Sequence, residues 1–206
     1  MLSRHEVPER LESLHDAEPT KLTHLGRALS QAAVAAGLVD VAYRIVDSPV
    51  GELLLAATSA GLVRVAFARE GHEAVLESLA ATISPRVLFA PGRLDDAARE
   101  LEEYFAHRRQ SFDLPLDFRL TQGFRREVLG YLPRIAYGHT ASYAALAAMT
   151  SSPRAVRAVG TACARNPLPL VVPCHRVIRT DGGQGAYLGG PEAKATLLAL
   201  ELELTT

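Results

Sequence analysis

The run NPLPLVVPCHR at residues 166–176 places three prolines, Pro167, Pro169 and Pro173, among apolar residues. Proline has no amide hydrogen and its ring clashes with the preceding turn, so no helix continues through Asn166-Pro167-Leu168-Pro169. Leu170-Val171-Val172 is short and apolar, which predicts a buried strand. That strand would deliver Pro173-Cys174-His175 to its end. A glycine-rich loop from Asp181-Gly182-Gly183 to Gly189-Gly190 follows. Residues 191–202, with Leu197, Leu198 and Glu201 near the end, read as a closing helix.

Upstream, Thr121 is the expected N-cap of a helix carrying Phe124, Val128, Leu129 and Leu132, which Pro133 ends. Ser142 caps a short helix over 143–149, and Ser151-Ser152-Pro153 opens another over 153–164. Two short helices with a tight polar joint, the second bearing Arg154, Arg157 and Arg165, suggest helix-turn-helix, although any two-helix corner gives the same pattern. The first half reads differently. Residues 41–46, 53–57 and 62–67 are strand-like, with turn signals at Asp47-Ser48-Pro49-Val50-Gly51 and Ser59-Ala60-Gly61, and predict an antiparallel meander. Helices are expected over 72–82 and 94–108, the second with Leu94, Ala98, Leu101 and Phe105 on one face. Residues 111–118, containing Pro115, form an extended connection. Leu11, Leu14, Leu22, Leu25 and Leu29 recur at helical spacing near the start, interrupted at Pro19-Thr20, and residues 28–38 are alanine-rich helix material. The expected organisation is a helical extension over 1–40, a structural α/β domain over 41–116 and a functional domain over 117–206.

Charge separates the two halves. Residues 1–116 carry 12 Lys and Arg against 17 Asp and Glu, whereas residues 117–206 carry 10 against 6. From Arg125 to Arg179 there are eight arginines and one acid, Glu127. A solvated basic face accounts for this; so does a phosphate-binding surface confined to the second half. Two cysteines, Cys163 and Cys174, are too few for a disulfide framework or a four-cysteine zinc site. No apolar run is long enough to span a membrane, and the charged N-terminus has no apolar signal core, so the expectation is a cytoplasmic protein with reduced thiols.

Cys174 next to His175 is the one nucleophile–base candidate. A free thiol titrates near 8.5 and needs a base to react at neutral pH. Adjacent residues on an extended segment point to opposite faces, so a water bridge or a local bend is expected between them. A histidine base needs a partner to fix its tautomer, and Glu201, on an otherwise apolar helix end, is the acid of choice. The pair alone is equally compatible with an inert buried cysteine beside a core histidine.

The wider pattern decides between these. Arg157-Ala158-Val159-Gly160, Asn166-Pro167-Leu168-Pro169, Pro173-Cys174-His175-Arg176-Val177, Tyr187-Leu188-Gly189-Gly190, Lys194, Leu197-Leu198 and Glu201 together resemble the O6-alkylguanine-DNA alkyltransferases, with the family's spacings. The resemblance is strong over about 124–201 and recognisable over 43–118; it does not reach residues 1–40. It implies an α+β fold, a small ribonuclease-H-like antiparallel sheet with helices followed by a mostly helical, winged helix-turn-helix-like domain. It also implies a mechanism. The damaged base is flipped out of the duplex through the minor groove. Arg157 is the finger that fills the vacated stack, Tyr143 presses on the target phosphate, and the small Ala155, Ala158 and Ala162 permit close approach. Asn166 is the hinge between recognition helix and active segment. Cys174 attacks the alkyl carbon; His175, oriented by Glu201, takes its proton; Tyr187 assists the leaving base, and Val177 and Leu188 line the base pocket. The thioether has no route back, so each molecule acts once.

The implied partner is double-stranded DNA containing O6-alkylguanine, with O4-methylthymine a further candidate, bound by a monomer that can act cooperatively on DNA. No membrane, cofactor or metal is implied: the first domain has no cysteine to ligate zinc, and the remaining histidines are scattered. Cys163 reads as a packing residue and Arg176 as a structural one paired with a carboxylate, while Lys194 supports the site loop or sits in solvent. Arg125, Leu129, His139 and Thr140 depart from the family pattern. So does Leu188, a bulky residue where small ones are common, which is expected to narrow the pocket against large adducts. The alternatives are a non-catalytic lesion binder of the alkyltransferase-like type, a cysteine hydrolase with turnover, and a helix-turn-helix regulator; the presence of Cys174 argues against the first.

Overall fold

The computed structural model describes residue 26, residues 28–30 and residues 32–202. The helix expected around Leu11, Leu14, Leu22 and Leu25, with its break at Pro19, lies outside the described residues. The chain forms two compact units, Met1–Val39 and Asp40–Thr206. In the first, the alanine-rich stretch is helical as expected. It ends where Gly37 adopts φ +66°, with Leu38 N–H donating to Ala33 O and Gly37 N–H to Val34 O. This is the left-handed cap that glycine permits at a helix end.

The second unit begins with the meander: β1 (Val41–Val46), β2 (Leu53–Thr58) and β3 (Gly61–Phe67), all antiparallel. A fourth strand, β4 (Val87–Phe89), adds to β1 in parallel, so the sheet order is β3-β2-β1-β4 and the sheet is mixed. Every residue of β2 is buried because both its faces are covered. Leu53, Leu55 and Ala57 face one cluster, and Leu54 and Ala56 the other, as the period of two requires. Helix α1 (His72–Thr82) covers the second face with Val75 and Leu79. Helix α2 (Asp95–Phe105) covers the first with Ala97, Leu101 and Tyr104. That face is turned by one residue from the expected one: Ala98 and Phe105 are only partly buried, and Tyr104 is fully inside.

The extended connection runs along β3. Leu62 N–H donates to Pro115 O and Asp117 N–H to Leu62 O. Gly61, at φ +133°, leaves room for this approach, since a Cβ there would sit 2.1 Å from Pro115 O. The next helix, α3 (Gly123–Tyr131), starts after Gln122, not at Thr121. The Thr121 hydroxyl and amide both bond Phe118 O and close a turn, so the side chain has no capping role. Helix α4 (Tyr143–Ala148) begins as expected, with the Ser142 hydroxyl accepting from Ala145 N–H at 3.0 Å. Helix α5 (Val156–Ala164) begins three residues after Pro153. Glu127 accepts from the amide and hydroxyl of Ser151, and Ser152 N–H donates to the Thr150 hydroxyl, which holds the joint open until Ala155.

The strand expected at 170–172 is not there. Leu170 has φ +68°, Val172 N–H donates to Leu168 O, and Cys174–Arg176 form a 3-10 turn. Three prolines strip this segment of ladder donors, and the Asn166 side chain satisfies the backbone instead. The strand lies further on, as β6 (Val177–Ile178), pairing in parallel with β5 (Ala141–Ser142). Helix α6 (Gly190–Leu202) closes the unit, burying Gly190, Ala193, Lys194, Leu197 and Glu201 on one face. One apolar core unites both halves of this unit, from Leu53 and Tyr104 to Val128, Val159, Cys174 and Leu197. Among the described residues no helix is long and apolar enough to cross a membrane.

Candidate active site

Asn166, fully buried at the end of α5, organises the proline-rich turn. Its Nδ2 donates to Val172 O at 2.7 Å and to Cys174 Sγ at 3.2 Å, while its Oδ1 accepts from Leu168 N–H at 3.0 Å. One amide therefore ties the helix end to the turn and to the thiol. Cys174 is 2% exposed. Burial pushes its thiol up to about 11, with the Asn166 hydrogen bond and the Lys194 charge pulling the other way. At neutral pH it is a protonated thiol, not a stored thiolate.

His175 makes no direct hydrogen bond to Cys174. The 3-10 turn sends its ring inward, and Nε2 meets Glu201 Oε1 at 2.9 Å. Burial lowers the imidazole below its ordinary value, and the Glu201 carboxylate only partly offsets this. Nε2 carries the proton toward the carboxylate, which leaves the lone pair on Nδ1. Nδ1 is buried and without a partner among the described residues. Burial would raise Glu201, but His175 and Arg176 outweigh it and hold the carboxyl at about 2. Arg176 grips it through Nε at 2.9 Å to Oε2 and Nη2 at 2.8 Å to Oε1, and its Nη1 donates to Ile135 O. Gly138 N–H reaches Oε2 at 3.2 Å, and the Tyr104 hydroxyl donates to Oε1 at 2.7 Å.

Tyr187 stands edge-on to His175 with ring centres 6.4 Å apart, and edge-on to Phe67 at 5.5 Å. Its hydroxyl is buried, has no partner among the described residues and is pushed well up by that burial. Lys194 is fully buried and clamps the loop: Nζ donates to Val177 O at 2.6 Å and to Gln184 O. The loop it holds places Gly185, at φ +70°, against Tyr143; a Cβ there would lie 2.5 Å from the Tyr143 hydroxyl. Val177 is buried at the end of the turn and Leu188 is partly buried against the same core.

On α5, Arg157 and Ala158 are exposed and Ala155 is half-buried. Ala162 is 2% exposed and packs into the core with Val159 and Cys163, so its side chain is not on the outer face. Arg154 before this helix, Arg157 on it and Arg165 at its C-cap are exposed, with Arg179 exposed after β6. The structure thus brings together Cys174, His175, Glu201, Asn166 and Tyr187, and keeps Arg157 and Ala158 on an accessible helix face. Tyr104 and Phe67 come from the first half and were not expected at the site. The only local signal was a tyrosine on a buried helix face, whose hydroxyl needs a partner. Among the described residues no cluster of His, Cys, Asp and Glu could hold a metal.

The chain matches two family descriptions: residues 41–118 match the ribonuclease-like domain of 6-O-methylguanine DNA methyltransferase, and residues 123–203 its DNA-binding domain. It is 40% identical over 159 residues to a methylated-DNA–protein-cysteine methyltransferase of Methanosarcina barkeri, covering 77% of this chain and 96% of that protein. It is 39% identical to the constitutive enzyme of Bacillus subtilis, covering 77% and 94%. The O6-methylguanine methyltransferase of Mycobacterium tuberculosis superposes with a TM-score of 0.70 at 36% identity, covering 79% of this chain and 93% of that one. The same organism's protein in complex with DNA superposes at 0.69. On the strength of its sequence, its fold and the arrangement around Cys174, the chain belongs to the methylated-DNA–protein-cysteine methyltransferase family, the O6-alkylguanine-DNA alkyltransferases.

Proposed function

We propose that this protein repairs DNA by moving the alkyl group of O6-alkylguanine in a duplex onto Cys174 Sγ, once per molecule. The observation that carries this reading is the buried Cys174 thiol held by Asn166 next to His175, whose Nε2 is locked onto Glu201; burial raises the thiol and lowers the imidazole, which favours the protonated thiol and the neutral base. A thiol in that state reacts only as its proton leaves. His175 Nδ1 takes the proton through a water, Sγ bonds to the alkyl carbon, and the carbon–O6 bond breaks. The electron pair stays on the guanine, which is neutralised by a proton with Tyr187 assisting. The positive charge formed on His175 faces the Glu201 carboxylate. The product is a thioether, and nothing beside it can cleave one, so the protein is consumed.

A base inside a duplex cannot reach a buried thiol, so the nucleotide turns out of the stack. Exposed Arg157 on α5 fills the gap, its planar guanidinium both stacking and donating. Ala155 and Ala158 allow the helix to approach the minor groove, and Tyr143, backed by Gly185, presses on the target phosphate. Val177 and Leu188 shape the base pocket. O4-methylthymine is a second substrate of the same chemistry. The DNA complex of the Mycobacterium tuberculosis relative supports DNA as the partner. In this reading residues 41–116 form a supporting domain, 117–206 carry DNA binding and transfer, and the protein acts as a monomer. Incubation of Cys174→Ala with duplex DNA bearing one O6-methylguanine tests the assignment. Lesion binding is retained and methyl transfer is lost; methylation of that variant would remove Cys174 from its role.

A further inference from the structure

We infer that Tyr104, from the sheet-bearing half, is a positioning residue of the proton relay: its hydroxyl, on the oxygen of Glu201 that faces His175, sets how basic that histidine can be. The inference rests on the proposed role of His175 as base.

The geometry is specific. Glu201 Oε1 accepts from Tyr104 at 2.7 Å, from His175 Nε2 at 2.9 Å and from Arg176 Nη2 at 2.8 Å. A carboxylate oxygen has two lone pairs, so the donors gathered on this one atom compete. Each bond that Tyr104 makes draws on the density that would otherwise hold the imidazolium proton. Oε2 accepts from Arg176 Nε at 2.9 Å and from Gly138 N–H, and the same Nε also reaches Oε1 at 3.2 Å, which adds to the crowding there. Tyr104 has no freedom to leave: it is fully buried, with ring centres 5.4 Å from Phe105, 5.3 Å from Phe112 and 6.0 Å from Tyr137. Burial and the Glu201 charge keep its proton in place, so it always donates. Other charged or titratable groups around His175 are Arg176 on its own turn, Lys194 and Glu201 from α6, and Tyr187 from the loop. Arg176 and Lys194 disfavour the imidazolium and Glu201 favours it; Tyr104, donating to Glu201 Oε1, weakens that support in this inference. The first half thereby takes part in the chemistry of the second, through a contact spanning 97 residues of sequence.

The test is the titration of the His175 ring, read by nitrogen-15 NMR on intact, unreacted protein, so it does not depend on alkyl transfer. Tyr104→Phe removes the donor and keeps the ring. The His175 midpoint should rise by about half to one pH unit, the worth of one hydrogen bond to a charged partner's oxygen. The acid limb of methyl transfer should move up with it. Phe112→Leu loosens the same aromatic cluster but leaves the hydroxyl, and should not move the midpoint. If Tyr104→Phe folds poorly, 3,5-difluorotyrosine placed at position 104, a stronger donor of similar size, should shift the midpoint down. A midpoint unchanged by both replacements, or moved equally by Phe112→Leu, overturns the inference. A protein that never transfers methyl but shows the shift would instead overturn the function and leave the coupling standing.

Discussion

A buried thiol and a buried imidazole solve one problem together. Cys174 is pushed up to about 11 and His175 is pushed down, so burial favours the uncharged form of each at neutral pH, and in the proposed mechanism charge forms only as the alkyl group moves. Cys174 should therefore resist iodoacetamide across pH 7–9, and its labelling should rise toward a midpoint near 11, not near the usual 8.5. Labelling followed by peptide mass against pH checks this, and a midpoint at or below 8.5 contradicts it. Leu188 is expected to limit the size of the alkyl group. Its bulk beside Tyr187 and the core should slow benzyl transfer relative to methyl, and Leu188→Gly should speed benzylguanine labelling by roughly tenfold, the scale of one or two methylenes in an apolar pocket. Equal benzyl and methyl rates in the unaltered protein would refute this. At this scale the sequence told much: the ordered residues from Arg157 to Glu201 pointed to Cys174, His175 and Asn166. Tyr104 was not legible, because nothing local links it to a carboxylate 97 residues away.

The elements put these residues in place by different physics. Helices α3 to α6 follow from apolar spacing and were readable. The turn after Asn166 was not, because Leu170-Val171-Val172 is apolar, with two β-branched valines, in any context. What decides against a strand is a side chain, Asn166, which takes the bonds a neighbouring strand would have made. The joint between α4 and α5 was readable as a break, but its later exit depends on Glu127 holding Ser151. The resemblance sets Ala162 beside Arg157 with Ala155 and Ala158 as a small residue for close approach, yet Ala162 packs into the core while Ala158, one turn earlier, is exposed. Arg157 remains outside, and the role proposed for it is base extrusion, not the transfer step. Arg157→Ala should slow methyl transfer from duplex DNA by at least tenfold while leaving transfer from free O6-methylguanine base within about twofold, since the free base needs no extrusion. Parallel rate measurements on the two substrates check it; equal losses on both would place Arg157 in the transfer step itself.

At the scale of the molecule, the two halves of the unit Asp40–Thr206 share one core and the hydrogen bonds around Glu201. Acid should expose this. His175 is depressed when folded, so the unfolded chain takes up the proton first, and stability falls as pH drops below about 6.5. Glu201 is near 2 when folded against 4.5 ordinarily, so its contribution is present above 4.5 and is lost between 4.5 and 2. That second loss is at most about 3 kcal/mol. Glu201→Gln should be less stable at neutral pH, because Arg176 is left buried without its carboxylate, and should show no further loss between 4.5 and 2 from this site. Urea unfolding as a function of pH measures both. The central claim is consumption of one thiol, and the most direct measurement is intact and peptide mass after incubation with an excess of O6-methylguanine duplex. The account predicts one methyl per chain, on Cys174 and not Cys163, with repair ceasing when every chain is marked. Repair continuing beyond one lesion per chain, or a chain that binds the lesion and stays unmodified, would contradict it.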